Sequence, residues 1–358
     1  MWGQWIGTAT GSISGNAILN IDEDMREFWS IELHYASDCK HPIRPFSISV
    51  FNIEVTGDSF TAEAIPVIGP DAVKEPKRSR MTGKLDQYKH IVATFDEGTY
   101  GTTEFRLFYQ EINIPLPGTR VDWETFKSRV STPHFDLLHD AMHIYRGYSS
   151  NKFCLRTSFH RCNKRSLRGF LVTNLRTLYY HLGPFLSREY RLDDNEDIIS
   201  LLYIAQHHGF PTPFLDWTES PFVAAYFAYH TLDRYREYGD DDFVRVYAFD
   251  RHAWTRRFKN PRILAHVPAQ LSILKPQVSN NDRAIPQQSI VTYSNLVNID
   301  AYVATMMPRG HAPYLTAMDL PATQRVVVMA ELRQMGITHA SLFPGIEGTC
   351  IALKERLM

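Results

Sequence analysis

The stretch that decides the fold is Gln206–Ser220, QHHGFPTPFLDWTES. It contains the glycine and proline residues typical of a turn. Amide, imidazole, carboxylate, indole and hydroxyl groups lie close together in it, between two apolar segments. Residues 199–205 before it predict a short buried helix, and residues 221–229 after it predict a second helix that is apolar nearly all round. Polar groups held in this way between core elements are typical of a functional site.

The start of the second helix carries its own signals. Thr218 is predicted to be the N-cap, and Pro221 suits the first turn, so free backbone N–H groups would point toward the turn. An anion or a phosphate could bind there. The alternative is purely structural: Asp216 and Thr218 cap the helix while Trp217 fills the core.

A second informative stretch is His143–Tyr148, HIYRGY. Ile144 and Tyr145 indicate a strand, and Gly147 lets the chain turn or lets another group approach closely. Arg146 is expected to leave the strand beside this glycine. Its planar fork of donors suits two-point recognition of a carboxylate or phosphate. The alternative is an arginine paired with a structural carboxylate.

A cluster of basic residues closely follows Arg146 and is interleaved with Phe159 and His160. It could hold phosphates or a nucleic acid strand, or it could be an ordinary solvated face. The cluster consists of Arg156, Arg161, Lys164, Arg165 and Arg168.

Together these stretches resemble the FRG domain, a bacterial family named for a Phe/Tyr-Arg-Gly signature. Tyr145-Arg146-Gly147 matches that signature, and residues 206–228 match a second hallmark that ends in an Ala- and aromatic-rich helix. Residues 286–290 match a later Gln-rich element, and residues 336–348 a terminal element. The resemblance covers roughly residues 120–358. Pro213 departs from the family, which more often has arginine there and so an anion contact.

The order of these parts is similar to that of ADP-ribosyltransferases. Those enzymes have an Arg on a first strand, a Ser/Thr-bearing strand running into an Ala-aromatic helix, and a Glu on a later strand. The resemblance implies NAD as a substrate, with Arg146 gripping the dinucleotide and Thr218 orienting the nicotinamide ribose. Gln287 or Gln288 would position the ribose or the nucleophile. The other residues that it implies for NAD binding are Tyr145, Gly147, Gln206, Trp217 and Tyr226.

The resemblance does not assign the catalytic acid or base, because glutamine stands where the resemblance calls for Glu, and glutamine cannot act as a base. Asp216 is the preferred candidate since it lies in the turn, and Glu219 and Asp282 are the other carboxylates nearby. His207 could act as a base or could simply satisfy loop carbonyls. The aromatic residues of the second helix, Tyr226 and Phe227, are read either as core or as a platform for nicotinamide.

The first hundred or so residues have a different sequence pattern. Alternating runs at 17–21 and 46–55, punctuated by turn residues at 57–58, 69–70 and 97–98, predict antiparallel strands in a small barrel or sandwich. The opening Trp-x-Gly loosely resembles lipocalin or avidin barrels, which could bind a ligand or a partner. Residues 74–80 are expected to be an exposed hairpin loop.

The chain is therefore predicted to be α+β, with a β-rich domain over 1–112, a Pro- and Gly-containing linker over 113–121 and a mixed α/β FRG domain over 122–358 that resembles the ADP-ribosyltransferase fold. Asp122 is a predicted N-cap for a helix over 123–130. Residues 243–249 and 351–353 are predicted strands of the second domain.

The composition of the chain argues against several classes of function. A formal net charge of −1 over 358 residues argues against polyanion binding driven by bulk charge. Four scattered cysteines argue against a zinc site and a disulfide scaffold, so no metal is expected and a reducing cytoplasm is favoured. The sequence has neither a signal peptide pattern nor a long apolar run, so we expect no membrane association.

The functional expectation is an NAD-dependent ADP-ribosyltransferase, acting as a toxin in a bacterial toxin-antitoxin or antiphage defence system and modifying a macromolecule such as RNA or DNA. An antitoxin or chaperone partner is expected to contact the N-terminal barrel or exposed Trp2 and Trp5. The alternatives are a non-catalytic module that binds a nucleotide or nucleic acid, and a nuclease that uses His207 or His208.

Overall fold

A computed structural model of the chain describes residues 3–11, 15–21, 28–34, 46–67, 79–96, 101–110, 114–131, 141–258, 269–275, 283–307, 310 and 312–357. The structural statements that follow concern these residues. They form two sheets, of which the first is built only from the N-terminal part of the chain and the second carries the candidate site.

The first sheet is an antiparallel barrel in which each strand pairs with its neighbour in sequence and the last strand pairs with the first. Ring closure removes the exposed strand edges that would otherwise pair with other chains. The strands are β1 (Gly3–Gly11), β2 (Gly15–Ile21), β3 (Phe28–His34), β4 (Phe46–Thr56), β5 (Ser59–Val67), β6 (Ser79–Leu85), β7 (Ile91–Asp96) and β8 (Thr102–Tyr109).

Alternation along the strands builds the barrel core. In β7, for example, Ile91, Ala93 and Phe95 are buried, while the residues between them are exposed. The runs predicted as strands at 17–21 and 46–55 lie in β2 and β4, which confirms the antiparallel N-terminal sheet. The predicted turn at Gly57-Asp58 is also confirmed, whereas those at 69–70 and 97–98 lie outside the described residues.

The predicted hairpin loop over 74–80 lies mostly outside the described residues, and Ser79 and Arg80 belong to β6. Trp5, which was expected to be exposed, is instead buried in the barrel core, where its indole N–H donates to the Lys89 carbonyl at 2.7 Å. That expectation was wrong, because alternation in β1 points Trp5 inward. Trp2 lies outside the described residues.

The second sheet is mixed and has seven strands in the order β13-β14-β11-β10-β12-β15-β9. All pairings in it are antiparallel except that between β15 and β9. The strands are β9 (Thr119–Arg120), β10 (His143–Tyr148), β11 (Phe214–Thr218), β12 (Phe243–Asp250), β13 (Leu271–Leu274), β14 (Ser289–Ser294) and β15 (Leu315–Pro321).

Helices cover both faces of this sheet. A π-helical turn (Phe170–Asn174) and two 3₁₀ turns (Gly183–Phe185 and Ala322–Gln324) connect some of them. The α-helices are α1 (Trp123–Val130), α2 (Ser158–Arg161), α3 (Leu167–Gly169), α4 (Leu175–Leu182), α5 (Asn195–His207), α6 (Pro221–Tyr229), α7 (Arg251–Arg257), α8 (Ile299–Thr305), α9 (Arg325–Gln334), α10 (His339–Leu342) and α11 (Ile346–Leu357).

Several local predictions for the second domain are confirmed. Asp122 caps α1 by accepting from the Thr125 N–H at 2.8 Å. The helices predicted on either side of the Gln206–Ser220 stretch are α5 and α6, and α6 begins and ends at the predicted residues. The strand predicted over 243–249 is β12.

Other local predictions were wrong. Residues 351–353 lie in α11, because a short apolar run does not by itself distinguish a strand from a helix. Much of the predicted turn, Phe214–Thr218, is strand β11, and Arg146 lies inside β10 instead of leaving it. Thr218 ends β11, so the N-cap of α6 is Ser220, whose hydroxyl accepts from the Val223 N–H.

The segment predicted as a linker is tied to the second sheet. Leu116 donates its N–H to Asp300 and accepts from Arg245, and Thr119–Arg120 pair with β15 as edge strand β9. The barrel itself contacts the segment after β14 through Gln4, which is hydrogen-bonded to Asn295 and Val297. The domain boundaries at 112 and 122 stay a prediction.

The chain is thus α+β, with a curled antiparallel N-terminal sheet followed by a mixed one, as predicted. No helix within the described part of the chain is both long and apolar enough to cross a membrane.

Candidate functional site

The site is built where α6 packs directly on β10, and Gly147 makes that contact possible. A Cβ at Gly147 would lie 1.9 Å from the carbonyl oxygen of Ala224 and 2.7 Å from the backbone nitrogen of Ala228. Only glycine on the strand, facing small residues on the helix, permits such an approach. Of the two roles expected for Gly147, close approach is the one that the structure supports.

Arg146, the neighbour of this glycine, reaches across to β11. Its Nη1 donates to the backbone carbonyl of Asp216, and its Cζ lies 4.9 Å from the centre of the Tyr148 ring. Its Nε is buried and has no hydrogen-bond partner among the described residues. A guanidinium has five N–H donors, so Arg146 keeps capacity to bind a ligand after these contacts are made.

Asp216 is held in place by a short relay of side chains. Its carboxylate accepts from the Gln206 amide, and the Gln206 carbonyl oxygen in turn accepts from the Thr212 hydroxyl. Gly209, with φ +84°, lets the chain turn back after α5 and brings Thr212 under Gln206. The spacing of Gln, Gly, Thr and Asp in this stretch therefore serves to orient one carboxylate.

His207, the next residue after Gln206, contributes an imidazole. Its ring packs edge-on against Tyr203 with the centres 4.5 Å apart. Burial lowers its pKa, and the nearby Asp216 charge opposes this only in part. The ring is therefore neutral at pH 7, which is the form that can accept a proton.

The third element of the site lies at the start of β14. The register pairs Thr218 with Tyr145 on one side and with Ser289 on the other, so β11 lies between the two other contributing strands. Gln287 reaches the site just before β14, and its amide donates to the Leu342 carbonyl at 3.0 Å. Segments far apart in sequence thus meet across β11.

These elements enclose a pocket of about 290 Å³. It contains two guanidinium groups, those of Arg146 and Arg283, and Asp216 supplies its one carboxylate among the described residues. Its lining residues are Tyr145, Arg146, Gly147, His207, Asp216, Trp217, Thr218, Ala224, Phe227, Arg283, Gln287, Ser289 and Phe343.

Most residues proposed from the sequence are brought together here. Gln206 does not line the pocket, but its amide donates to the carboxylate of Asp216, which does. Trp217 contributes to the lining, but its indole N–H donates to Thr292 at 3.0 Å inside the core. The sequence analysis did not single out four lining residues, Ala224, Arg283, Ser289 and Phe343, although all of them except Arg283 lie in elements of the FRG resemblance.

Besides Gln206, two residues proposed to bind NAD lie outside the pocket lining. Tyr226 is buried in the core, where its hydroxyl contacts His339 Nδ1 at 3.2 Å, because its position on α6 turns it away from the strand edge. Gln288 sits in a turn with φ +47°, and its carbonyl accepts from the Glu219 N–H.

The remaining candidates fall elsewhere. Glu219 does not line the pocket, and its carboxylate pairs with Arg251 at 2.9 Å. Asp282 lies outside the described residues. Pro213, at the position where the family resemblance calls for arginine, is buried away from the pocket, and the second guanidinium of the pocket comes from Arg283 instead.

The basic cluster does not line the pocket. Arg165 is buried and donates to the Asn163 carbonyl, Arg156 donates to the Val297 carbonyl, and Arg161 is exposed. Lys164 is half-buried, and the side chain of Arg168 is not described. A role for Arg156, Arg161, Lys164 and Arg165 in nucleic acid binding stays a prediction.

No group of three or more His, Cys, Asp or Glu side chains that could hold a metal ion occurs within the described ranges.

The pocket also has apolar and aromatic walls beside Arg146, including Phe227 and Phe343. Such walls with a few convergent polar groups are typical of a site for a small organic ligand.

No curated protein and no solved structure matches the chain significantly. Among protein families, the FRG domain matches residues 141–237. The match contains both Tyr145-Arg146-Gly147 and the Gln206–Ser220 stretch, the two stretches that build most of the pocket. It therefore confirms the FRG resemblance over that part of the chain.

Proposed function

We propose that this pocket binds NAD and that the chain is an ADP-ribosyltransferase. One observation supports this most: three sequence elements in the order typical of those enzymes lie on or directly before three strands around one pocket. Arg146 is on β10, Thr218 is at the end of β11 where the chain runs into α6, and Gln287 precedes β14.

The reaction breaks the bond between nicotinamide and ribose C1′, and nicotinamide leaves with the bonding electron pair. The acceptor nucleophile forms a new bond to C1′ and gives up its proton. Arg146 would hold the negatively charged dinucleotide, and the Asp216 carboxylate would stabilise the positive charge that develops on the ribose. Placement and electrostatics of this kind can supply much of the rate enhancement without a strong nucleophile.

Two groups in the pocket can take the proton of the acceptor. Asp216 is oriented by Gln206, and His207 is kept neutral by burial. We assign the proton to Asp216, since it is the carboxylate that the motif is built to hold. His207 would then keep the surroundings of that carboxylate free of a further positive charge at neutral pH.

The FRG resemblance suggests the biological setting. We propose a toxin or antiphage effector in a bacterial cytoplasm, with RNA or DNA as acceptor and an antitoxin or chaperone as partner. With Trp5 buried, Trp2 and the outward-facing side chains of the barrel strands remain as N-terminal candidates for a contact with such a partner.

The test is a transfer assay with NAD labelled in its adenylate portion. The purified full chain is incubated with separate pools of cellular RNA, DNA and protein, and nicotinamide release is measured in parallel. We expect label in one pool only, with nicotinamide released in equal amount. Arg146→Ala and Asp216→Asn should abolish both signals, whereas Arg256→Ala, an exposed arginine at the end of α7, should not change them.

Folded protein that neither releases nicotinamide nor transfers label to any pool would contradict the proposal. In that case a non-catalytic nucleotide-binding module becomes the better explanation. One observation already favours that alternative: Gln287, at the place where a catalytic Glu is expected, is an amide bonded to the Leu342 backbone. Binding of NAD without turnover would identify such a module.

A further inference from the structure

A second pocket, of about 210 Å³, adjoins the first. The two pockets share Arg283 and Phe343 as walls. The rest of the second pocket comes from α10, α11 and the turn between them, including His339, Pro344 and Ile351. This is the terminal element that the FRG resemblance includes and that the proposed chemistry does not use.

The local structure of this element keeps the second pocket open. Gly345 has φ +117°, a conformation that other residues rarely adopt, and it turns the chain between α10 and α11. A Cβ at Gly348 would lie 1.7 Å from the Phe343 carbonyl oxygen, so glycine there lets α11 begin directly against the wall. The Phe343 ring is fixed by stacking on His339, with the ring centres 4.4 Å apart.

Because the two pockets adjoin and share walls, one ligand can fill both. Small-molecule sites usually measure roughly 300–1,000 Å³. The first pocket lies at the lower limit of that range and the second falls below it, whereas the two together lie well within it. A ligand that fills both pockets must have two parts connected by a linking group that passes beside Arg283 and Phe343.

The positive charge of Arg283 between the two pockets indicates which chemical group of the ligand joins its two parts. Arg283 lies between the pockets with its Cζ 5.3 Å from the centre of the Phe343 ring, and its Nη2 is 4.0 Å from the carboxylate of the exposed Glu347. A guanidinium suits a phosphate group at this place. The apolar wall of Pro344 and Ile351 beyond it suits a flat heterocycle.

We propose that the second pocket holds the adenosine end of the dinucleotide, with the diphosphate beside Arg283. This rests on the proposed function, in which the nicotinamide–ribose bond lies beside Asp216 in the first pocket and Arg146 holds the same dinucleotide. The terminal element then selects the donor by its adenosine half, and Glu347 competes with the phosphate for Arg283.

The test measures binding of NAD, AMP and nicotinamide mononucleotide to the full chain by calorimetry. Ile351→Trp fills the second pocket, and we expect it to weaken NAD and AMP at least tenfold while leaving the mononucleotide within twofold. Leu353→Trp is the matched control, because it adds the same indole to an exposed position of α11 outside the pocket lining. It should change none of the three affinities.

A second variant does not depend on tolerance of a large side chain. Glu347→Gln keeps the shape of an exposed side chain but removes the charge that competes for Arg283. Since exposed ion pairs are weak, AMP should bind about two- to fivefold more tightly. If Ile351→Trp fails to fold, an unchanged AMP affinity in Glu347→Gln overturns the inference.

The outcomes separate this inference from the proposed function. NAD binding that is unaffected by Ile351→Trp overturns the second pocket as the adenosine site and leaves the transferase standing. AMP binding that is lost in Ile351→Trp, in a protein that does not cleave NAD, supports the second pocket and overturns the transferase. Failure of the unchanged chain to bind either nucleotide overturns both.

Discussion

Two polar side chains, Gln4 in the barrel and Arg146 in the pocket, show how differently the two halves of the molecule use polar groups. Gln4 is fully buried, and its amide donates to Asn20 at 2.8 Å and to the Asn295 carbonyl at 2.7 Å. Its carbonyl oxygen accepts from the Val297 N–H at 2.9 Å. Arg146, in contrast, leaves its Nε buried without a partner among the described residues.

The difference separates a structural polar group from a functional one. Buried polar groups are normally hydrogen-bonded, since an unpaired one costs about 1–3 kcal/mol. Gln4 meets this rule completely and joins β1 to the segment after β14. Arg146 breaks it at the wall of a pocket, which is where a protein retains unused donors for a ligand.

The largest expected effect is on catalysis, from Arg146→Ala. We expect nicotinamide release to fall about 100- to 1,000-fold, the usual loss when one group that stabilises charge in a transition state is removed. The free energy of unfolding should fall by only about 1–2 kcal/mol, because loss of the hydrogen bond to the Asp216 carbonyl and of the contact with the Tyr148 ring is partly offset by removal of an unpaired buried donor. Activity assays and urea unfolding measure the two effects. A large loss of stability with little loss of rate would make Arg146 structural, like Gln4.

The opposite result is expected for Gln4→Leu. It leaves Asn20, the Asn295 carbonyl and the Val297 N–H without their partner, and we expect the free energy of unfolding to fall by about 3 kcal/mol. Activity per folded molecule should not change. Gln110→Leu is the matched control, since Gln110 makes one exposed bond to the Phe108 carbonyl. Equal destabilisation by both variants would contradict the role assigned to Gln4.

Gly147→Ala tests the packing under the pocket. The added methyl group must push α6 away from β10, because the Ala224 carbonyl lies where the Cβ would be. Overpacking of this kind typically costs about 1–3 kcal/mol of unfolding free energy. Gly239→Ala is the control, since its added methyl group would meet no other atom within 4 Å. Thermal unfolding compares the two, and an unchanged Tm in Gly147→Ala would refute the close contact.

The barrel and the pocket also differ in how far the sequence predicts them. Alternation in β2 and β4 is a local pattern, and both strands were placed correctly. Tyr145–Gly147 and Asp216 were recognised because their motifs are compact. Arg283 was not, because nothing local marks it and only the turn before β14 brings it to the pocket. Phe343 lies in the terminal element of the FRG resemblance, but only the packing of α10 brings its ring to the pocket.

Local signals also failed where tertiary pairing overrides them. Phe214–Thr218 contains turn-forming neighbours, but pairing on both sides with β10 and β14 makes it a strand. This pairing moved the helix cap from Thr218 to Ser220. The register of an inner strand depends on partners distant in sequence, and local turn and cap signals cannot supply it.

Gln206→Leu tests the relay that orients Asp216. The variant removes the amide that donates to the carboxylate and should lower kcat about tenfold while leaving KM within about twofold. A merely structural role would lower the Tm and leave the kcat of the folded fraction unchanged. The same loss is expected for Thr212→Val, which removes the hydroxyl at the other end of the relay. Additive losses in the double variant would show that the two residues do not act as one unit.

The smallest effect is a pH dependence that His207 should impose. Burial lowers its pKa below the ordinary value of about 6.5, so the neutral ring persists as the pH falls to that value. Below the lowered pKa, the protonated ring pairs with Asp216 and weakens its action as a base. We therefore expect kcat to be level from about pH 8 to pH 6.5 and to fall only at lower pH, and His207→Gln should extend the level region downward. A fall that begins above pH 6.5 and disappears in His207→Gln would mean that the pocket raises the pKa of His207, and the neutral-ring assignment would fail.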